Sequence, residues 1–151
     1  MDFTLDAKSE AKRQGVRAFV QDRLIPLESD PASYDHHENI NPTLLQTLRA
    51  EVKAAGLWCL QMPEHVGGQG LPFTGMAACY EEMNRSIFGP VCFNSAAPDD
   101  GNMMVLNKVG TPAQKEWWMM PVVRGEVQSS FAMTEPDGAG RDPGMTKTYA
   151  E

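Results

Sequence analysis

Apolar residues recur at steps of three and four near the start of the chain, which is the period of a helix with one buried face. The residues on this stripe are Val16, Phe19, Val20, Leu24 and Leu27. They predict a helix from about Asp6 to Leu27. Pro26 marks its end, because a proline disfavours helical geometry in the residue before it. The polar stretch over residues 28–40 predicts a loop.

A second helix has both a start and a stop signal. Asn41 can cap it, Pro42 suits the first helical position, and Gly56 suits the position just past the end. Apolar residues again form one stripe, which comprises Leu44, Leu45, Leu48, Val52 and Ala55. This spacing predicts a second helix whose apolar stripe faces the core.

Two further helices are indicated by the same period. The first runs from about Phe73 to Ile87 and is closed by the Gly89-Pro90 pair. Its expected inward positions are Phe73, Met76, Ala77, Tyr80, Met83 and Ile87. The second is shorter, from Asp99 to Val109, and Gly110 ends it.

The next helix start is a capping box. Thr111 can cap the helix, and Gln114 can complete the box from the third helical position. The helix carries Trp117 and Trp118 and is expected to end at Pro121. We expect one tryptophan to pack inward and the other to lie at an edge or interface.

After this helix the pattern changes to the alternation of a strand, from Gln128 to Met133. The predicted fold class is therefore mainly α. Residues 1–125 are expected to form a helical domain, and residues 126–151 are expected to begin a β domain.

Composition and charge exclude some functions. The chain has 151 residues, 42% of them apolar and 22% charged, with a formal net charge of -7. The acidic balance argues against non-specific nucleic-acid binding, which needs a basic face. An anionic ligand would need a local basic pocket. The chain lacks an apolar stretch long enough for a membrane span, and the three cysteines without CxxC spacing indicate a reducing compartment and inert core thiols.

Three smaller motifs have an ordinary explanation that we favour. The glycine-rich residues 67–70 could cradle a phosphate but lack the P-loop lysine, so a structural turn is preferred. The acidic His36-His37 loop could bind a metal but is better explained as solvated surface, and no metal site is predicted. Met103 and Met104 are weak candidates for a substrate pocket, since methionine more often fills a core.

The stretch over residues 131–142 is more distinctive. An apolar run from Phe131 to Met133 meets Thr134, Glu135 and Pro136 and then a glycine-rich loop. Such a backbone can approach a flat cofactor closely, because glycine removes the side chain. An ordinary strand and turn is the alternative, and the pattern alone leaves both open.

This stretch resembles the flavin-contacting signature of the acyl-CoA dehydrogenases, in the sequence Phe131-Ala132-Met133-Thr134-Glu135-Pro136-Asp137-x-Ala139-Gly140-x-Asp142. Four further segments resemble the same family in order and spacing, at residues 56–71, 80–86, 110–116 and 121–126. The resemblance is closest to a branch with long- or branched-chain substrates. It implies a helical N-terminal domain, a β-barrel-like middle domain and a C-terminal four-helix bundle, assembled as a homo-oligomer.

The resemblance also implies chemistry. The family oxidises an acyl-CoA between its α and β carbons: a carboxylate removes the α proton, and the β hydrogen passes to N5 of FAD. Electrons then leave to an electron-transfer flavoprotein or a similar acceptor. The residues expected to contact the flavin are Phe131, Ala132, Met133, Thr134, Gly140 and Arg141.

Two departures affect these expectations. Arg141 stands where the family usually has serine, and the loop is one residue longer than the commonest pattern. The resemblance places the catalytic base beyond Glu151, so no catalytic residue is assigned in the chain and the isolated chain is predicted to be inactive. The alternatives are a stand-alone helical interaction module and, least favoured, chance similarity. A cytoplasmic location is expected, or a mitochondrial or peroxisomal one in a eukaryote.

Overall fold

The computed structural model describes residues 3–136 and 142–149 and is mainly helical. Its α-helices are α1 (Ala7–Phe19), α2 (Pro42–Ala54), α3 (Phe73–Met83), α4 (Gly89–Cys92), α5 (Asp99–Val109), α6 (Pro112–Gln114) and α7 (Met120–Arg124). Short 3-10 turns occur at Pro31–Ser33, Glu64–Val66 and Pro143–Met145. Within the described ranges no helix has the length and apolarity needed to cross a bilayer.

The first predicted helix is confirmed as one continuous helical path. The Asp6 carboxylate caps α1 by accepting from the backbone N–H and the hydroxyl of Ser9, both at 2.8 Å. After α1 the path continues as a π-helical turn over Val20–Leu24 and a 3-10 turn over Ile25–Leu27. Pro26 explains this change, because proline has no N–H to donate and its ring crowds the preceding turn.

A second proline changes the last helix in the same way. The capping box at Thr111 and Gln114 is confirmed. However, the helix does not end at Pro121: α6 continues through a π-helical turn over Lys115–Met119 into α7. The wider turn accommodates the proline, so the helix stops only at Gly125, where φ is +73° and favours glycine.

The helices α1 and α3 cross closely because both carry small residues at the contact. A Cβ atom on Gly75 would lie 2.2 Å from the Ser9 hydroxyl oxygen, so only glycine fits there. Beside this contact, the buried Glu82 carboxylate accepts from Arg13 at 2.6 Å and from Arg85 at 3.3 Å. The crossing therefore depends on close approach and ion pairing as well as on apolar burial.

Burial confirms the stripe of the first helix, all of the second stripe except Ala55, and half of the third. Val16, Val20, Leu24, Leu48 and Val52 are fully buried. In α3 the buried residues are Gly75, Cys79, Glu82 and Met83, and Met76 and Tyr80 are partly buried against the core, so three of the six predicted inward residues are confirmed. The predicted core residues that are instead exposed are Ala55, Phe73, Ala77 and Ile87.

Near the end of the helical region one prediction is wrong and another is not shown by the described residues. Trp117 and Trp118 are both exposed, at 77% and 59%, so neither packs inward. The strand predicted from Gln128 to Met133 is not formed within residues 3–136 and 142–149. A strand needs a neighbouring backbone to pair with, and no second run of strand residues lies beside this segment in the described ranges.

Asn94 joins three segments in the core through its side chain and its backbone. Asn94 is 2% exposed, and its Nδ2 donates to the Val122 carbonyl of α7 at 2.9 Å. The backbone carbonyl of Asn94 accepts from Gln61 Nε2 at 2.8 Å. Its φ of 58° lies in the left-handed region, which asparagine tolerates better than most residues. Asn94 thus combines a left-handed backbone conformation with a buried, hydrogen-bonded side-chain amide.

Asn94→Ala should lower the free energy of unfolding by about 2 kcal/mol, because it removes the buried hydrogen bond to the Val122 carbonyl and puts alanine at positive φ. Asn94→Gly should recover about 1 kcal/mol of that loss, since glycine relieves only the backbone strain. The matched control is Asn84→Ala, which removes an exposed amide bonded to the Tyr80 carbonyl at 2.8 Å and should cost less than about 1 kcal/mol. Equal losses at both asparagines in denaturant unfolding would contradict this role.

Candidate functional site

The end of α7 fixes the direction in which the chain leaves the helices. The indole Nε1 of Trp58 donates to the Val123 carbonyl at 2.8 Å, and Lys53 Nζ donates to the Arg124 carbonyl at 2.7 Å. The same ammonium lies 4.3 Å from the Trp58 ring centroid, within cation–π range. Burial lowers the pKa of Lys53, and the nearby Arg49 charge lowers it further.

A groove of about 770 Å³ lies between the start of α5 and the segment that follows α7. This volume falls in the range of small-molecule sites. The groove is lined by Ala97, Pro98, Asp100, Gly101, Asn102, Val105, Ser129, Ser130 and Phe131. Its walls are largely apolar, and the polar side chains come from the first turn of α5 and from the two serines.

Hydrogen bonds from α5 hold the second wall of the groove. One oxygen of Asp99, Oδ1, accepts the Ser129 backbone N–H at 2.6 Å and the Ser129 hydroxyl at 2.7 Å. Asn102 Nδ2 donates to the same hydroxyl at 2.9 Å. Sequence analysis did not identify these three residues, because no local pattern links positions 30 residues apart.

The structure describes four of the six residues predicted to bind a cofactor. Phe131, Ala132 and Thr134 are exposed, and Met133 is partly buried. Their backbone groups make no backbone hydrogen bond to another described residue. Within the described residues these amides and carbonyls therefore have no backbone partner, and together with the Thr134 hydroxyl they could form hydrogen bonds to a ligand. Gly140 and Arg141 lie outside the described residues.

The two methionines proposed for a substrate pocket do not line the groove. Met103 is fully buried, with its sulfur 4.0 Å from Cys59 Sγ, and Met104 is 47% exposed. Met103 therefore packs behind the groove wall formed by α5. Their assignment to a substrate pocket remains a prediction.

Glu135 has a structural role in the described residues. Its carboxylate accepts the backbone N–H of Lys147 at 2.9 Å and of Thr148 at 2.7 Å, as well as the Thr148 hydroxyl. The Thr148 hydroxyl and these N–H groups lower the pKa of Glu135. A carboxylate that is held ionised by three donors and already satisfied is poorly suited to take a proton.

The glycine-rich loop after α2 turns its N–H groups inward. The Gly68 N–H donates to the Pro63 carbonyl at 3.0 Å, and the Gly70 N–H donates to the Met62 carbonyl at 2.9 Å. A phosphate cradle requires several N–H groups that point outward together. The geometry therefore favours the structural turn.

The His36-His37 loop is organised by an aspartate. Asp35 Oδ1 accepts the backbone N–H of His37 at 2.8 Å and of Asn39 at 3.0 Å, and these bonds lower the pKa of Asp35. Both imidazoles are exposed. In the part of the chain that the structure describes, no three potential ligands come close enough to hold a metal ion.

Comparison with known proteins identifies the family. The sequence model of the acyl-CoA dehydrogenase N-terminal domain matches residues 6–126, and the chain belongs to the acyl-CoA dehydrogenase family. Acyl-CoA dehydrogenase family member 11 of Gallus gallus is 38% identical over 133 residues, which are 84% of this chain and 17% of that protein. The human protein of the same name is 35% identical over 133 residues, with the same two coverages.

A bacterial relative and a solved structure agree with this assignment. FadE2 of Mycobacterium tuberculosis, assigned as an acyl-CoA dehydrogenase, is 31% identical over 94% of this chain and 35% of its own length. The solved structure of a Mycobacterium abscessus protein with the same assignment superposes with a TM-score of 0.82 at 35% identity, covering 93% of this chain and 37% of that one. The chain thus spans only a minor part of the relatives it matches.

The cysteines should be unreactive in the folded chain. All three are buried, and burial raises the pKa of Cys59 and Cys92 to about 12 and that of Cys79 to about 11. At pH 8 the thiols are therefore neutral, and only an opened chain exposes them. Labelling with a disulfide reagent at pH 8 should be at least about a hundredfold slower than in denaturant. A thiol that labels rapidly in the native chain would contradict its placement in the core.

Proposed function

We propose that these residues form part of an FAD-dependent acyl-CoA dehydrogenase, with residues 1–125 as its N-terminal helical domain and residues 126–151 as the start of its middle β domain. The observation that supports this most is the groove beside Phe131. The groove ends where the flavin signature begins, so a ligand in it would lie next to a cofactor bound along residues 131–134.

The groove suits an acyl chain. Its apolar wall includes Pro98, Val105 and the exposed Phe131 ring, and α5 is backed by the buried Met103. Burying a methylene chain against such a surface is favourable by about 0.8 kcal/mol for each CH₂ group. The side chain of Asp100 at the rim is acidic, so the anionic coenzyme A portion would have to lie away from this end of the groove.

The flavin edge would be held by the exposed backbone of Phe131, Ala132 and Met133 and by the Thr134 hydroxyl. Gly140 would let the loop approach the ring, and Arg141 would supply a cation in place of the usual serine. Bound FAD would supply the redox step by accepting hydrogen from the β carbon of the thioester. The chain's own residues would hold the ring edge and exclude water from it.

The remaining parts of the proposal follow from the family resemblance. The catalytic base would lie outside these residues, so the 151-residue chain alone would not dehydrogenate an acyl-CoA. Electrons would pass to an electron-transfer flavoprotein or a similar acceptor, and the whole enzyme would be a homo-oligomer. A cytoplasmic location, or a mitochondrial or peroxisomal one in a eukaryote, is part of the same proposal.

A helical interaction module without catalysis is the second candidate, and one observation favours it. Trp117 and Trp118 are adjacent and exposed, and tryptophan is enriched where proteins bind one another. Under the enzyme proposal the same surface would be covered within the flavoprotein. The two candidates differ in whether the native protein contains flavin.

The first test is to purify the native protein from its source cells and measure its intact mass and its visible absorption. We expect a mass well above 16.6 kDa and the yellow absorption of oxidised flavin, which should bleach when an acyl-CoA is added without oxygen. A free carboxylic acid without coenzyme A serves as the control and should leave the flavin oxidised. A colourless protein of 16.6 kDa would overturn the enzyme proposal and favour the interaction module.

Thr134→Val tests the assigned contact in the native flavoprotein. The substitution keeps the shape of the side chain and removes one hydroxyl, so the flavin dissociation constant should rise about fivefold, which corresponds to the loss of one hydrogen bond of about 1 kcal/mol. Thr74→Val is the matched control, because Thr74 is an exposed threonine on α3 far along the chain from the signature. Flavin content and reduction rate equal to wild type would show that Thr134 does not contact the ring.

A further inference from the structure

The segment that carries the flavin signature has no sheet to hold it within the described residues, yet it follows a defined path along α5. Its only side-chain attachments to α5 in the described ranges are the bonds that Asp99 and Asn102 make to Ser129 and Ser130. Ser129 is two positions before Phe131, so an attachment at Ser129 restricts the position of the first residue of the signature.

We propose that Asp99 is a positioning residue that sets the place of residues 131–134 against the groove by binding Ser129. This inference rests on the proposed function, since it assigns Asp99 a role in flavin binding. We call the contact of Asp99, Asn102 and Ser129 the α5 latch.

The chemistry of the α5 latch makes it stronger than an ordinary loop contact. Asp99 is 5% exposed, and its Oδ1 accepts from both the backbone N–H and the hydroxyl of Ser129. These two bonds fix both the backbone and the side chain of Ser129. Hydrogen bonds to an ionised acceptor are shorter and about twice as strong as those between neutral groups. The Ser129 hydroxyl, which donates to Asp99, also accepts a hydrogen bond from Asn102 Nδ2.

Asp99 is the first residue of α5. The first turn of a helix presents unpaired N–H groups, and a carboxylate there is stabilised by the helix dipole. The guanidinium of Arg49 also interacts electrostatically with Asp99, although burial is the larger influence and lowers the pKa of Arg49.

The geometry makes the α5 latch the second of two fixed points. The first is the end of α7, which Trp58 and Lys53 hold at residues 123 and 124. Residues 126–128 between the two points are exposed. An extended chain advances about 3.3 Å per residue, so a fixed Ser129 confines Phe131 to within about 7 Å of it. Without the latch, the nearest preceding attachment in the described residues would be Glu126, three residues further back, whose N–H donates to the Pro121 carbonyl at 2.9 Å.

Asp100 provides a matched control on the same turn. It lines the groove, as Asn102 and Ser129 do, and its Oδ1 accepts the N–H of the next residue, Gly101, at 2.7 Å. Asp100→Ala therefore removes the same charge from the same helix start and leaves Ser129 bonded. Asp99→Asn is the conservative variant, because its amide oxygen can still accept the Ser129 N–H.

The first measurement is amide hydrogen exchange at Ser129 in the 151-residue chain. Asp99→Ala should speed this exchange by about tenfold or more, while Asp100→Ala should leave it within about twofold of wild type. Asp99→Asn should restore most of the protection. Unchanged exchange at Ser129 in Asp99→Ala would overturn the α5 latch.

The second measurement uses the native flavoprotein. Asp99→Ala should raise the flavin dissociation constant by about tenfold and shift the visible flavin spectrum, and Asp99→Asn should recover both, which a loss of stability alone would not produce. Faster exchange at Ser129 with unchanged flavin affinity and spectrum would overturn the positioning role. A wild-type protein without flavin would overturn the proposed function, and the exchange result would still decide whether the latch exists.

Discussion

The carbonyl groups at the end of α7 are bonded by side chains from elsewhere in the chain. A helix leaves its last carbonyls without intrahelical partners. Here Asn94 donates to Val122, Trp58 donates to Val123, and Lys53 donates to Arg124. Each donor comes from a different segment, and two of the three acceptor residues are buried. The hydrogen bonds to the end of α7 therefore hold these three segments together. The groove and the signature segment extend from this region.

This arrangement explains why the core tolerates unusual backbone geometry. Asn94 and Cys59 both have positive φ, at 58° and 54°, and their segments are joined by the bond from Cys59 N–H to the Phe93 carbonyl at 3.0 Å. Such conformations cost roughly 1–3 kcal/mol each and persist only where the surroundings determine them. In a medium of low dielectric the buried amide bonds are strong, and an unpaired carbonyl would be costly. The strain is offset because relaxing it would break the buried hydrogen bonds from Asn94 to the Val122 carbonyl and from Cys59 to the Phe93 carbonyl.

The features that could be predicted from the sequence are those that depend on neighbours in the chain. The caps at Asn41 and Thr111 and the stripe of α1 follow from spacings of three or four residues, and the structure has them. Part of the buried face of α3 could not be predicted, because Gly75 and Cys79 are buried by their approach to α1 and not by their hydropathy. The α5 latch joins positions 30 residues apart, and no local signal pairs an aspartate with a distant serine.

The two walls of the groove are held by different forces, and this difference decides how each responds to substitution. Behind the α5 wall, Met103 packs against Cys59. A substitution there disturbs this packing, so its first effect is to lower the free energy of unfolding. The opposite wall, Ser129 to Phe131, is half exposed and is held by hydrogen bonds to a carboxylate and an amide. Because little apolar area is buried beneath it, a change there moves the wall more than it unfolds the chain. For a ligand that contacts both walls, displacement of the second wall would therefore lower the affinity under conditions in which the helices are still folded.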